Sequence, residues 1–270
     1  MTDFHGSPSR YRPLNTDDKL AGSTSERTTE PVTSKQSRII TKVLSPAMRL
    51  WLRSQVEQVS DLEVKISGSD RQILSGHIPL VSILARHAVY QGLHLRQIQL
   101  TGESIRINLG QVLKGQPLRL LEPVPVYGCL LLQESDLNAS FCAPMLANAL
   151  TEFLLILLQS QTESDFSAFV MKAQPSWQNT QIEINAGQIT LSATLVPSVG
   201  NPMPIVIRTG LQMASSHELE LDRPQISTQQ GFVLDSRDSL KVDLGSEVAI
   251  DELTLTPGQL ICYGRINVLP

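Results

Sequence analysis

The sequence predicts an α+β protein in which amphipathic helices lie against antiparallel β-sheet. A phrase that alternates apolar and polar residues on both sides of a Gly turn occurs twice, as IEINAGQITL at Ile182–Leu191 and as LTLTPGQLIC at Leu253–Cys262. This pattern is typical of antiparallel hairpins with one buried face. Helical spacing of apolar residues appears over residues 38–60 and again over residues 137–159. The predicted order is therefore helix, strands, helix, strands.

Composition sets the class of partner. The chain has 270 residues, 41% of them hydrophobic and 4% aromatic, so it can bury a large and mainly aliphatic core. Its formal net charge of -4 argues against a nucleic-acid partner, because proteins that neutralise phosphates carry a concentrated basic excess.

The N-terminal segment, residues 1–37, is rich in Ser and Thr and poor in large apolar residues, which predicts a disordered tail before a folded domain over residues 38–270. A duplication into two helix-plus-sheet halves, residues 38–132 and 133–270, is left open. No secretory signal and no apolar run of membrane-spanning length is present. We therefore expect a cytoplasmic protein without a transmembrane helix that associates with a membrane only peripherally.

The first predicted helix, residues 38–60, has Ser45-Pro46 as a start or kink signal. One side is a basic stripe, and the opposite side carries apolar residues that include Leu50 and Trp51. The stripe is either the solvated side of a packed helix or a surface for anionic lipid headgroups, each cation contributing about 1 kcal/mol. The stripe consists of Arg38, Lys42, Arg49 and Arg53, and the last three are the candidate membrane-surface residues.

The middle of the chain reads as strands, including a looser version of the repeated phrase, IQLTGESIRI at Ile98–Ile107, with Gly102 in its predicted turn. After Trp177 the alternation predicts strands to the end of the chain.

The second predicted helix follows a capping signal at Gln133–Asp136, contains Pro144 as a kink or restart, and is apolar all round over Phe153–Leu158. An all-round apolar helix must be enclosed. A sheet wrapped around it either fills the core or leaves an aliphatic groove for an acyl chain. The candidate groove-lining residues are Phe141, Leu146, Leu150, Phe153, Leu154, Leu157, Leu158, Ile189 and Leu191.

No catalytic or cofactor motif occurs in the chain, so the sequence predicts a protein that is not an enzyme and binds no cofactor. His77, His87 and His94 are close in sequence but have no carboxylate or Cys at ligand spacing, and no metal site is assigned to them.

Four segments resemble the LmeA-like phospholipid-binding proteins, a former domain-of-unknown-function family common in cyanobacteria. They are SRIITKVLSPAMRLWLRSQVE (Ser37–Glu57), QILSGHIPLVSI (Gln72–Ile83), YQGLHLRQIQL (Tyr90–Leu100) and LLQESDLNASF (Leu131–Phe141). The resemblance implies a tubular lipid-binding (TULIP-like) fold, with long amphipathic helices cradled by a highly curved antiparallel β-sheet around a hydrophobic cavity.

The predicted function is non-enzymatic binding, and transfer, of phospholipid or another long-chain lipid at an anionic membrane surface. A scaffold with a fully packed core and a partner-binding basic helix is the alternative. A lipid hydrolase is a third hypothesis, and it requires that the fold bring Ser, His and Asp side chains together.

Overall fold

A computed structural model describes residues 40–159, 170, 175–198, 200–229, 231–236 and 238–270. The predicted tail (residues 1–37) and Arg38 lie outside this range. The described residues belong to one compact unit, residues 36–270.

Five α-helices are present in the described part of the chain. A π-helical turn, Ile40–Leu44, leads into the first helix, whose early Pro46 suits a helix start. That helix ends at Gln55, because Val56 has extended backbone angles. The helices are α1 (Ser45–Gln55), α2 (Asp70–Leu74), α3 (Leu109–Val112), α4 (Glu134–Ser140) and α5 (Pro144–Gln159).

The first sheet, called sheet 1, has six antiparallel strands in the order β1-β2-β3-β4-β12-β11. The C-terminal hairpin returns to pair with β4, so sheet 1 takes strands from both ends of the domain. Its strands are β1 (Gln58–Ser67), β2 (His77–Tyr90), β3 (Leu93–Arg106), β4 (Val124–Gln133), β11 (Val248–Thr256) and β12 (Gln259–Val268).

The second sheet, called sheet 2, is also antiparallel, with the order β10-β8-β7-β6-β5 and with β9 paired to β8. Its strands are β5 (Ser176–Asn185), β6 (Gln188–Val196), β7 (Met203–Met213), β8 (Glu218–Thr228), β9 (Gly231–Asp235) and β10 (Leu240–Asp243).

The repeated phrase forms the two hairpins that the sequence predicts. Ala186-Gly187 joins β5 to β6, and Pro257-Gly258 joins β11 to β12, with φ of 68° and 78° at the glycines. Glycine suits these positions because side chains disfavour positive φ. The looser version is not a hairpin: Gly102 lies inside the continuous strand β3. Its missing side chain leaves room for Ile105 and two valines, so packing rather than a turn accounts for this glycine.

Each sheet is covered by its own helix. Leu44 and Met48 from the first helical segment are buried at 0% and 3% exposure among residues of β1, β2 and β3. Leu154, Leu157 and Leu158 of α5 are buried against the apolar face of sheet 2. A smaller cluster joins Leu137 of α4 to β2, β3 and β4.

The predicted fold, long helices cradled by one highly curved sheet in a TULIP-like arrangement, is wrong. Strands account for 56% and helices for 22% of the described residues, and the helices are short. The helical pattern over residues 137–159 is interrupted before Pro144, where α4 and α5 are bent by 99°. A bent pair presents two separate faces, and each packs on different strands instead of forming one axis that a sheet could enclose.

Candidate functional site

A cleft with a volume of about 1030 Å³ lies between α4, α5 and the start of β5. It is at the upper end of the range typical of small-molecule sites. Its lining mixes apolar and polar side chains: Asn138, Phe141, Cys142, Ala147, Asn148, Thr151, Glu152, Leu155, Val170, Pro175, Ser176, Trp177, Asn179 and Thr180.

Helix α5 contributes one side to this cleft, and Leu155 on that side also packs, partly buried, against the sheet 2 core. Ala147, Thr151 and Leu155 are spaced four residues apart and therefore share one side of the helix. Leu154 and Leu158 belong to the other side, where they are 1% exposed. The helix thus has one face in the core and one face toward a space that the described residues leave open.

The opposite wall, β5, is an edge strand whose backbone groups bond to α4. The Asn138 side chain donates to the Ile182 carbonyl at 3.0 Å and accepts from the Ile182 N–H at 2.8 Å. The Ile184 N–H donates to a Glu134 carboxylate oxygen at 2.9 Å. Because an exposed strand edge is otherwise free to pair with other strands, these bonds both protect β5 and fix the width of the cleft.

The bend between α4 and α5 is held against the β2–β3 turn. The His94 N–H donates to Ser140 Oγ at 2.8 Å, and Ser140 Oγ donates to the Asp136 carbonyl at 2.6 Å. Gly92 approaches the bend so closely that a Cβ there would lie 2.5 Å from the Ala143 Cβ. The end of the cleft near Phe141 and Cys142 is therefore anchored to sheet 1.

Trp177 forms an apolar part of the wall and is oriented by α5. Its indole N–H donates to Thr151 Oγ1 at 2.9 Å, and that hydroxyl donates to the Ala147 carbonyl at 2.9 Å. Because its N–H has a hydrogen-bond partner, the partly buried indole can line the cleft without leaving an unpaired donor.

The rim of the cleft is polar but has little charge. Four lining side chains make no side-chain hydrogen bond to another described residue: Asn148, Glu152, Asn179 and Thr180. Glu152 is the only ionisable Asp, Glu, Lys, Arg or His among the described lining residues. The arrangement therefore suits an amphiphile, with hydrocarbon along Phe141, Leu155 and Trp177 and neutral or amine-bearing polar groups at the rim.

Of the predicted groove-lining residues, Phe141 lines this cleft. Leu154, Leu157, Leu158 and Leu191 lie in the packed core, at most 4% exposed. Leu150 and Phe153 pack partly buried against the same cluster, and Leu146 and Ile189 are half-buried. A lipid-contacting role for these residues stays a prediction.

Sequence reasoning missed Asn148, Thr151 and Trp177. A signal for the two helix residues was present, because the polar residues Asn148, Thr151 and Glu152 recur at helical spacing within an otherwise apolar segment. No comparable pattern marks Trp177, whose place depends on the docking of β5.

The predicted membrane-surface residues Lys42, Arg49 and Arg53 are exposed, and none forms an ion pair with a described acidic residue. Leu50, predicted on the apolar side, is 73% exposed beside them. Trp51 packs partly buried against the sheet 1 core.

No group of three His, Cys, Asp or Glu residues in the described part of the chain is arranged to hold a metal ion. Within the same residues no single helix is both long enough and apolar enough to cross a bilayer; α4 and α5 reach that length only as a pair bent by 99°.

A family model described as LmeA-like phospholipid-binding matches residues 35–265. This range contains both sheets almost entirely and the whole cleft. Comparison with curated proteins and with solved structures finds no match.

Proposed function

Because the chain belongs to the LmeA-like phospholipid-binding family over residues 35–265, we propose that it holds the acyl part of a phospholipid, or of another long-chain lipid, in the cleft between α4, α5 and β5. The main support for this proposal is the space of about 1030 Å³ beside Phe141, Leu155 and Trp177. The interior around Leu154 and Leu157 is filled by side chains, which directs the lipid to the other face of α5.

The hydrocarbon supplies the driving force for binding. Each CH₂ removed from water contributes about 0.8 kcal/mol, so a long chain gains most from an extended apolar wall. The polar rim gives hydrogen bonds to ester or headgroup atoms through Asn148, Asn179 and Thr180. Binding of this kind requires no covalent step, and we propose a carrier that is not an enzyme.

Exchange with a membrane is part of the proposal. Lys42, Arg49 and Arg53 are exposed cations without a described acidic partner, which suits reversible contact with anionic headgroups. Since cleft and bilayer interior are both apolar, transfer between membranes would run down a concentration gradient. The protein would act peripherally, on the cytoplasmic side.

Native mass spectrometry of the purified chain tests the cleft directly. Wild type should carry additional mass that corresponds to copurified lipid. Ala147→Trp fills the cleft face of α5 and should abolish that mass, whereas Ala139→Trp adds the same indole to an exposed position on α4 outside the lining and should retain it.

Absence of lipid from wild type after incubation with phosphatidylglycerol or phosphatidylcholine vesicles would contradict the carrier and support the packed scaffold. Equal lipid loading of the two tryptophan variants would contradict the location of the site.

A further inference from the structure

Exposed leucines collect at one end of sheet 1, away from the cleft. Leu74 ends α2, Leu113 follows α3, and Leu121 precedes β4, and their exposed fractions are 58%, 52% and 57%. Single exposed apolar residues are ordinary on protein surfaces, but a cluster of large ones marks a binding surface.

Hydrogen bonds between backbone groups, and from the Asn108 side chain, place these three segments together. The Ile107 N–H donates to the Gly76 carbonyl at 2.9 Å, which joins the end of α2 to the end of β3. The Leu121 N–H donates to the Arg106 carbonyl at 2.9 Å. The Asn108 side chain donates to the Pro117 carbonyl at 2.9 Å and accepts from the Arg119 N–H at 2.8 Å.

Each exposed leucine is next to, or close to, a buried residue that fixes its segment. Ile73 precedes Leu74 and is 0% exposed, and Val112 precedes Leu113 and is 7% exposed. Leu118 lies three residues before Leu121 and is 4% exposed. The three segments are therefore anchored by their buried neighbours, and the leucines themselves are exposed to solvent.

The charge around these leucines differs from that of the whole chain. Residues 68–76 and 106–123 contain four basic residues and two acidic ones, whereas the chain has 22 basic and 26 acidic residues. Arg106 is 4.0 Å from Glu122, one of the two acidic residues, and the other is Asp70. Arg71, Lys114 and Arg119 are exposed and form no ion pair with a described residue.

We propose that this end of sheet 1, here called the leucine tip (Leu74, Leu113 and Leu121 with Arg71, Lys114 and Arg119), docks on an anionic phospholipid bilayer. The leucines enter the interface between headgroups and acyl chains, and the three cations contact headgroup phosphates. Apolar residues close in sequence to exposed cations that have no described acidic partner match such an interface in both polarity and charge. This proposal rests on the membrane exchange in the proposed function. It adds the leucine tip as a second membrane-contacting surface beside the basic side of α1.

Flotation of the full chain with vesicles tests the tip. Leu74→Ser, Leu113→Ser and Leu121→Ser combined should weaken binding to mixed phosphatidylcholine and phosphatidylglycerol vesicles roughly a hundredfold, or about 2.8 kcal/mol at about 1.4 kcal/mol per tenfold. Tyr90→Ser is the matched control, because Tyr90 is 42% exposed at the opposite end of β2 and should leave binding unchanged.

Arg71→Gln, Lys114→Gln and Arg119→Gln combined should reduce binding to the mixed vesicles and leave binding to pure phosphatidylcholine vesicles unaltered. The circular dichroism and melting temperature of each variant establish that the fold is intact. Wild-type vesicle affinity in a folded triple-Ser variant would overturn the proposal. Sedimentation that shows a dimer lost in the triple-Ser variant would also overturn it, by assigning the tip to a second copy of the chain.

Lipid loading separates this inference from the function of the cleft. If the tip docks as proposed, the triple-Ser variant should still load lipid supplied in detergent micelles, because its cleft is unchanged. A folded variant that loses micelle loading would overturn the separation of the two surfaces. A wild-type chain that binds vesicles through the tip but never loads lipid would contradict the carrier and leave the tip standing.

Discussion

The two helix-on-sheet units, α1 on sheet 1 and α5 on sheet 2, bury their inner faces to a similar degree but differ on their outer faces. Leu44 and Met48 in the first unit are 0% and 3% exposed, and Leu154 and Leu158 in the second are both 1% exposed. The outer side of α1 presents Arg49, Leu50 and Arg53 to solvent. The outer side of α5 instead faces α4 and β5 across the cleft.

This difference shows that a buried helix face does not by itself indicate where a ligand can bind. A well-packed inner face excludes ligands from both units, because protein interiors leave few voids. What distinguishes α5 is a second wall, which the hydrogen bonds between Asn138 and β5 hold in place. Among the described residues no such wall faces the outer side of α1, which is suited to surface contacts.

The largest expected effect separates the two faces of α5. Leu154→Ala should lower the free energy of unfolding by about 2–5 kcal/mol, because it opens a cavity in a filled core. Leu155→Ala, at the neighbouring cleft-facing position, should cost less stability and should weaken lipid loading more. Chemical denaturation and native mass spectrometry of the two variants check this. If the Leu154→Ala and Leu155→Ala variants lost the same stability and loaded the same amount of lipid, the proposed difference between the two faces of α5 would be contradicted.

The next effect tests the second wall. Asn138→Ala removes two hydrogen bonds to the Ile182 backbone and should destabilise the protein by about 1–3 kcal/mol, because partly buried peptide groups lose their partner. Hydrogen exchange should become faster at Ile182 and remain unchanged in β2 and β3. Unchanged protection at Ile182 would show that other contacts hold β5. Ser135→Ala, at an exposed α4 position, is the control.

A smaller effect is expected on the outer side of α1. Arg49→Gln with Arg53→Gln should weaken binding to phosphatidylglycerol-containing vesicles by about 1 kcal/mol for each charge removed, with no loss of stability. Lys65→Gln, a similarly exposed cation on β1 that is 3.9 Å from Glu63, should have little effect. Vesicle titrations at low and high salt measure both variants. Equal affinities of wild type and the double variant would contradict a membrane-binding role and would indicate that this side of α1 is only the solvated side of a packed helix.

The smallest effect concerns the three thiols. Burial raises the pKa of Cys129 and of Cys262 in sheet 1, so at neutral pH fewer of these thiols are in the reactive thiolate form. Cys142 is exposed and lines the cleft. Alkylation followed by peptide mapping should therefore modify Cys142 first, and bound lipid should slow that modification alone. Protection of Cys129 rather than Cys142 by lipid would move the site to sheet 1.

The Gly-Gln phrases and the family likeness show how far sequence reasoning reached. Two-residue turns at Ala186-Gly187 and Pro257-Gly258 were predictable because alternation and a positive-φ glycine are local properties. Gly102 misled the same reasoning, because a glycine needed for packing inside a strand looks like a glycine needed for a turn. The LmeA-like resemblance of the chain, drawn from segments between Ser37 and Phe141, is confirmed by the family model over residues 35–265.

By itself, the sequence determined the hairpins, the amphipathic α1, the break before Pro144 and the family, since each depends on residues close together in the chain. Only the tertiary structure decided that the described strands form two sheets, that β11 and β12 return to the first, and that the open space lies on the Thr151 side of α5. These features depend on strand pairings between distant residues and on the angle between α4 and α5. Periodicity specifies which face is apolar but not what that face meets.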